Sequence, residues 1–346
     1  MTRTKVPVAI NGYGVIGKRV ADAVAAQPDM ELVGVADIAA DWRPAVALRK
    51  GYRLFAPTQD HVEEMRGAGL KVAGTLDDLL GSAEVVVDCT PKRVAAKNVD
   101  IYRRRGLKFI VQGAEKHELT GHSFVAEANY ETAIDRASTR VVSCNTTSIV
   151  RSLTALKRAG LLKRARGTLM RRATDPWESH EGGIMNTLVP ENAIPSHQGP
   201  DAQNVDPALD VVTMAVKVPE TIAHLHLWWV ELTRSATAEE LAAAFRASPR
   251  IALLRMSDGL VAPNSVKEMM ADLGRGRDSL YEVGLWQDLI TVRGDEAYFA
   301  YMVDNQAIVV PENIDAIRAL TRREANAGAS MSRTNATLGI GQLSRL

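Results

Sequence analysis

Close to its N-terminus the chain carries Gly12-x-Gly14-x-x-Gly17, preceded by the β-branched run Val6–Ile10 and followed by apolar residues at helical spacing over Lys18–Gln27. A strand that turns through three glycines straight into a helix has few folds open to it. One glycine makes the turn, one lets the backbone approach a pyrophosphate, and one lets helix pack on strand. Gln27-Pro28-Asp29 stops the helix, and Glu31–Ala36 is a second apolar run ending at Asp37. Together these predict a βαβ unit and a parallel sheet, with helix N-terminal amides available to phosphates. Asp37 stands where a carboxylate accepts the ribose hydroxyls of NAD and repels the 2′-phosphate of NADP; Arg43 or Arg49 nearby are the residues that would receive such a phosphate instead.

The alternation continues through Val85–Asp88, Lys108–Gln112 and Arg140–Ser143 as buried strands, with Ala95–Arg105 as a helix, so a dinucleotide-binding domain is expected over residues 1–143. Beyond it, Ser152–Leu162 reads as a helix. Gly167–Ala173, Leu209–Val218 and His224–Thr233 read as strands of a broad sheet half covered by helices, a second domain of α+β type. Residues 177–206 are rich in Pro, Gly, Asn and His without steady periodicity, which predicts a long surface loop. Pro311 and Asn313 open a helix expected over Ile314–Ala327. With Lys+Arg 42 against Asp+Glu 41, the net charge of +1 provides no global field for nucleic acid or an anionic membrane. Nothing resembling a leader precedes the glycine turn and no 18 apolar residues run together, so a cytoplasmic protein is expected.

The two cysteines are too few for a disulfide framework. Cys144 lies in Ser143-Cys144-Asn145-Thr146-Thr147, between a predicted strand and a predicted helix. There the helix dipole and free amides are expected to lower the thiol pKa and to supply oxyanion donors. Cys89, in Val-Val-Val-Asp-Cys-Thr-Pro, reads as a small buried hydrophobe. A cysteine that attacks an aldehyde needs a base, and seven histidines compete. His224 and His226 share one face of a predicted strand. That spacing also suits a metal pair or a satisfied structural histidine, but no third ligand stands at a fixed offset, so no metal is expected. His61, His117, His122 and His180 read as surface residues, and His197 as a candidate for substrate contact. A phosphorylated substrate would need Arg171, Arg172 or Arg151; two adjacent strand arginines face opposite ways, so one of the pair is expected to enter the site.

Several motifs now stand together: Ile-Asn-Gly-Tyr-Gly-Val-Ile-Gly-Lys-Arg (10–19), Gln-Gly-Ala-Glu-Lys-His (112–117), Ser-Cys-Asn-Thr-Thr (143–147), Pro-Ser-His-Gln-Gly-Pro-Asp (195–201) and Ile-Val-Val-Pro-Glu-Asn-Ile-Asp-Ala-Ile-Arg (308–318). In this order, over nearly the whole chain, they resemble the archaeal-type (type II) phosphorylating glyceraldehyde-3-phosphate dehydrogenases. The resemblance implies an α/β protein: an N-terminal Rossmann domain (1–143), an α+β catalytic and tetramerisation domain with a broad mixed sheet (144–304), and a C-terminal segment (305–346) whose helix returns to the Rossmann domain. It implies a homotetramer that oxidises glyceraldehyde 3-phosphate with NAD(P) and inorganic phosphate through a Cys144 thioester, with His224 as the base and His226 in support. Ser143, Asn145, Arg171, His197 and Gln198 would meet the substrate. Gly12, Gly14, Val15, Ile16, Gly17, Asp37, Gly113, Ala114, Arg172 and Asn305 would hold the cofactor, Asn305 at the nicotinamide carboxamide. Three departures stand out: Ala114 replaces a second glycine, Asp37 replaces a Lys or Thr suited to NADP, and Asn305-Gln306 replaces a Gln-Glu pair. Asp37 favours NAD. The alternatives are a related dehydrogenase of another sugar phosphate, such as erythrose 4-phosphate, and a non-catalytic nucleotide-sensing protein.

Overall fold

The computed structural model describes residues 5–179, 186–341 and 343. The chain forms two compact units, Met1–Ser143 with Val310–Leu338, and Cys144–Val309 with Gly339–Leu346.

The first unit is built on eight strands: β1 (Val6–Asn11), β2 (Met30–Ala36), β3 (Leu54–Ala56), β4 (Val72–Thr75), β5 (Val85–Asp88), β6 (Lys108–Gln112), β7 (Ser123–Phe124) and β8 (Ser138–Val141). They lie in the order β4-β3-β2-β1-β5-β6-β8-β7, every pair parallel. β1 and β5 are buried along their whole length, as a parallel sheet covered on both faces requires. The order reverses between β1 and β5, so their carboxyl ends form the crevice where such folds bind ligands. The strands expected at 85–88 and 108–112 are in place. Between Asp37 and Val85 the sequence reading missed β3 and β4, whose three and four residues are too short to show a period.

A buried polar cluster fixes the ends of β1 and β5. The Asp88 carboxylate accepts from Tyr102 Oη at 2.7 Å, Asn98 Nδ2 at 2.9 Å and the Thr90 backbone N–H at 3.0 Å, while Asn11 Nδ2 donates to Tyr102 Oη at 2.7 Å. Burial and the Asp88 charge push the Tyr102 phenol up, so it remains a neutral donor.

The helix Val310–Leu320 is buried throughout. It starts four residues earlier than expected, and the segment from Ala327 to Leu338 is a separate helix that the sequence reading missed. The unit boundary correspondingly lies at Val310 rather than 305, and Gly339–Leu346 group with the second unit. Locally, Asp304 accepts from the backbone N–H groups of Gln306 and Ala307, and the Ile308 carbonyl accepts from Arg151, which ties 304–308 to the second unit's own core. Arg318 is the anchor of the returning helix. Fully buried, it pairs with Asp29 through Nε at 2.8 Å and Nη2 at 2.9 Å and donates to Gln27 Oε1 and Thr334 Oγ1, each at 2.6 Å.

The second unit carries β9 (Leu162–Arg172), β10 (Val189–Pro190), β11 (Val211–Val218), β12 (His224–Leu232), β13 (Ile251–Leu254), β14 (Val283–Trp286), β15 (Thr291–Arg293) and β16 (Glu296–Val303). Their order is β10-β11-β9-β12-β16-β14-β13, with β15 beside β16. It is a mixed sheet: β11/β9 and β13/β14 are parallel, while β9/β12 and β12/β16 are antiparallel. Period-2 burial along β12 turns His224, His226 and Trp228 inward and leaves Leu227 exposed. The helix Cys144–Arg158 begins directly at the cysteine, eight residues before the helix expected from sequence. Residues 177–206 are not one loop. They contain β10 and the short helix Gln198–Gln203, and Ser196 bonds Thr213 on β11 through both its backbone N–H (2.7 Å) and its hydroxyl (2.8 Å). Residues 180–185 of that segment, with His180, lie outside the described residues.

Replacing Arg318 with Met leaves Asp29 with only the more exposed Arg333 as a partner (3.1 Å) and strands Gln27 and Thr334, and is expected to lower stability by about 3–5 kcal/mol in urea unfolding. Burial works to raise the Asp29 carboxyl, but Arg318 and Arg333 outweigh it and hold it below its ordinary value. A lowered folded-state pKa contributes stability that is complete above the unfolded carboxylate range and is lost as pH falls through the folded value. Arg318→Met is therefore expected to flatten the loss of stability below about pH 4; an unchanged acid limb would contradict this assignment.

Candidate active site

Cys144 and His224 lie together in the second unit. Cys144 opens its helix, half-buried, and His224 starts β12; Sγ and Nε2 stand 3.4 Å apart. Behind the ring, the Arg172 backbone N–H donates to Nδ1 at 3.0 Å. The β9/β12 ladder ends at Met170–Leu225, so this N–H lies past the last rung and is free to bond the imidazole. An Nδ1 that accepts leaves the proton of the neutral ring on Nε2. Burial, then His226, Arg172 and Arg171, push His224 well below the ordinary histidine range, so the ring is neutral at physiological pH. It faces Cys144 as a donor.

The thiol expectation needs correction. Burial pushes Cys144 above its ordinary value, and the opposing pull of Arg172, the Asn145 backbone N–H and Arg171 only partly offsets it, with Asp304 adding to the rise. The helix-terminal amide acts in the expected direction, but desolvation wins. The charges of both arginines of the pair on β9 act on Cys144 and His224, Arg172 more strongly than Arg171. Arg171 pairs with Glu191 and Arg172 with Asp175, and the Nε of each is buried with no partner among the described residues. Those two donors are what a phosphate-bearing ligand would use. His197 is exposed and bonds Glu191 at 3.3 Å, whereas Gln198 is fully buried with neither end of its carboxamide partnered among the described residues.

In the first unit the glycine turn fits a dinucleotide. Gly12 has φ +94°, and a Cβ on Gly17 would stand 1.9 Å from the Gly12 carbonyl oxygen, so neither position tolerates a side chain. A Cβ on Gly14 would meet nothing within 4 Å, and no side chain caps the helix Val15–Ala26 that it opens. The helix amides are thus open to phosphate. Val15 and Ile16 are partly exposed on its first turn. Asp37 ends just past β2 and accepts from the backbone N–H groups of Tyr13 at 2.7 Å and Ala39 at 2.8 Å, which fixes its carboxylate beside the turn. Arg43 is paired with Asp41 at the surface. Gly113 lies against Ser143, where a Cβ would stand 2.2 Å from the Ser143 backbone nitrogen, and Ala114 is exposed.

Comparison with known proteins gives the family. The family profile for the glyceraldehyde 3-phosphate dehydrogenase C-terminal domain matches residues 143–272, and that for the dihydrodipicolinate reductase N-terminus matches residues 6–121. The chain is 44% identical over 338 residues to a glyceraldehyde-3-phosphate dehydrogenase of Methanococcoides burtonii, spanning 97% of this chain and 100% of that protein. It is 42% identical to one from Methanobrevibacter smithii (96% and 99%) and 42% identical to one from Metallosphaera sedula (97% and 98%). This chain belongs to the archaeal-type glyceraldehyde-3-phosphate dehydrogenase family.

Within that family frame, Asn305 is differently employed from the sequence expectation. Its Nδ2 donates to Asp175 at 3.1 Å and its Oδ1 accepts from the Ala223 backbone N–H at 3.2 Å, so both ends are engaged inside the second unit. Ala223 has φ +75°, in the left-handed region that a non-glycine residue rarely adopts, immediately before His224. Asn305 holds that turn, and through it the imidazole. His122, expected at the surface, is buried between Thr139 at 2.6 Å and Thr132 at 2.8 Å and is lowered to about 4, chiefly by burial. Cys89 has a thiol pushed well up by burial and by Asp88, as suits an unreactive cysteine. Among the described residues, no group of three His, Cys, Asp or Glu is arranged to hold a metal ion, and no helix is long and apolar enough to cross a membrane.

Because Arg172 is the strongest of the groups that oppose the rise of the Cys144 thiol, Arg172→Gln is expected to move the pH profile of Cys144 alkylation by iodoacetamide to higher pH. A profile that stays in place would show that the guanidinium does not act on the thiol.

Proposed function

We propose that this chain is a phosphorylating glyceraldehyde-3-phosphate dehydrogenase, converting D-glyceraldehyde 3-phosphate, NAD(P) and inorganic phosphate to 1,3-bisphosphoglycerate. The observation that carries the reading is the 3.4 Å approach of Cys144 Sγ to His224 Nε2, with Arg171 and Arg172 acting on both. The Cys144 thiol gives up its proton to solvent before attack; the thiolate adds to the aldehyde carbon, and the alkoxide that forms accepts a hydrogen bond from the Nε2–H of His224. The sequence reading gave His224 the work of taking a proton. The Arg172 N–H on Nδ1 favours the opposite polarity, in which the ring donates to the oxyanion and the carbonyl reforms as hydride leaves. A nicotinamide dinucleotide supplies the hydride acceptor. The product on Cys144 is a thioester; a phosphate oxygen attacks its carbon, the C–S bond breaks, the thiolate stays on Cys144 and the acyl phosphate leaves. Arg171 and Arg172 are the cations for the phosphate groups, and Gln198 supplies a buried carboxamide for the substrate.

Gly12, Gly14 and Gly17 hold the pyrophosphate in this reading, and Asp37 holds the adenosine ribose, favouring NAD. Asn145 and Ser143 flank the substrate. The face of the second sheet that leaves Met214, Leu227 and Tyr298 exposed, with Ile194 beside it, supports assembly into a homotetramer. The two unpaired cysteines suit a cytoplasmic protein.

Cys144→Ser is expected to bind the dinucleotide as wild type does in calorimetry and to lose oxidation of glyceraldehyde 3-phosphate. Substantial turnover by that variant would exclude the thioester route. Asp37→Gly is expected to raise kcat/KM with NADP relative to NAD, and wild-type rates are expected to depend on added inorganic phosphate. Faster turnover of erythrose 4-phosphate than of glyceraldehyde 3-phosphate would move the substrate assignment to that sugar.

A further inference from the structure

His226 is the second histidine of the inward-facing pair, and it is spent on Asn145 rather than on Cys144. It is fully buried, its Nε2 lies 2.8 Å from Asn145 Oδ1, and its Nδ1 lies 3.1 Å from Tyr301 Oη. A carboxamide oxygen can only accept, so Nε2 carries the proton and Nδ1 accepts from the Tyr301 hydroxyl. The Ser152 hydroxyl stands behind Tyr301 at 3.5 Å. Every group facing the ring keeps it neutral: burial and the Arg171 charge lower His226 to about 3, and burial pushes the Tyr301 phenol up. The ring is also clamped sterically, lying 5.0 Å from the Tyr301 ring and 6.4 Å from that of Trp228.

We infer that Tyr301 and His226 form a one-way hydrogen-bond chain that fixes the orientation of the Asn145 carboxamide, oxygen inward, so that its NH2 is kept as a donor for the oxygen that becomes negative at Cys144. Asn145 follows the nucleophile directly and is itself buried, so its side chain can turn only if this chain lets go. Both histidines of the pair then carry their proton on Nε2, His224 set by a backbone N–H and His226 by a phenol. His226 and Tyr301 are positioning residues, because they act through Asn145. The inference rests on the proposed oxidation at Cys144 for its purpose, but not for its geometry.

Tyr301→Phe deletes the donor and keeps the ring. It is expected to lower kcat about tenfold, with KM for the aldehyde within about twofold, a net loss typical of one buried hydrogen bond. Asn145→Ala is expected to lose about a hundredfold, as for one oxyanion donor. The double variant is expected to be no worse than Asn145→Ala alone, and the iodoacetamide profile of Cys144 to be unchanged by Tyr301→Phe. Losses that multiply in the double variant, wild-type kcat in Tyr301→Phe, or a shifted alkylation profile would each overturn the chain. Independently of activity, the 15N shifts of His226 are expected to report a neutral ring protonated on Nε2 from pH 5 to 9, and a ring protonated on Nδ1 would overturn it. Absence of aldehyde oxidation by the wild-type protein would overturn the functional reading, while the 15N shifts would still decide the geometry.

Discussion

The hydrogen bond from the Arg172 backbone N–H to Nδ1 of His224 is the interaction on which the geometry around Cys144 and His224 depends. It exists because β9 runs past the last rung of its ladder with β12, leaving one amide without a strand partner and an imidazole ring where that partner would be. A backbone donor cannot change rotamer or protonation state, so it sets the tautomer of His224 more firmly than a side chain would. On the opposite side the Ala223 turn, held in its left-handed conformation by Asn305, brings the ring into line with Cys144.

Around that pair, desolvation and charge work against each other. Burial favours a neutral thiol and a neutral imidazole, while Arg171 and Arg172 favour the thiolate and disfavour the imidazolium. The arginines are in turn balanced by Glu191 and Asp175. The result is a centre at rest as a neutral pair, in which the thiolate becomes cheaper wherever the guanidinium charge is strengthened. Asp175 also reaches Asn305 and Gln306, so one carboxylate links the arginine, the loop at 304–307 and the turn before His224.

Much of the fold is legible in the residues because it depends on local chemistry. Gly12 and Gly17 occupy positions where a Cβ collides with backbone, which is why the strand, turn and helix could be read without coordinates. Val85–Asp88 shows as a strand because a parallel sheet buries both of its faces. The elements that were missed lack such signals. β3 and β4 are too short for a period, and the helix Ala327–Leu338 has no first-turn acids, its Asn326 cap (Oδ1 accepting from the Ala329 N–H at 2.9 Å) being joined by the distant contact of Arg318 with Thr334. His122 sits among polar neighbours in sequence, yet two threonines satisfy it inside the fold.

The sequence by itself determined the parallel dinucleotide-binding architecture, the place of Cys144 between a strand and a helix, and the pairing of His224 with His226 on one strand face. Those follow from backbone sterics, helix-terminal placement and the period of two, all of which act within a few residues. Only the tertiary structure decided the thiol's upward shift, the donor polarity of His224, the work of Asn305 at Ala223, and the service of His226 to Asn145. Each of these depends on burial and on partners tens of residues away in the chain, and neither desolvation nor the far end of a hydrogen bond is written in local order.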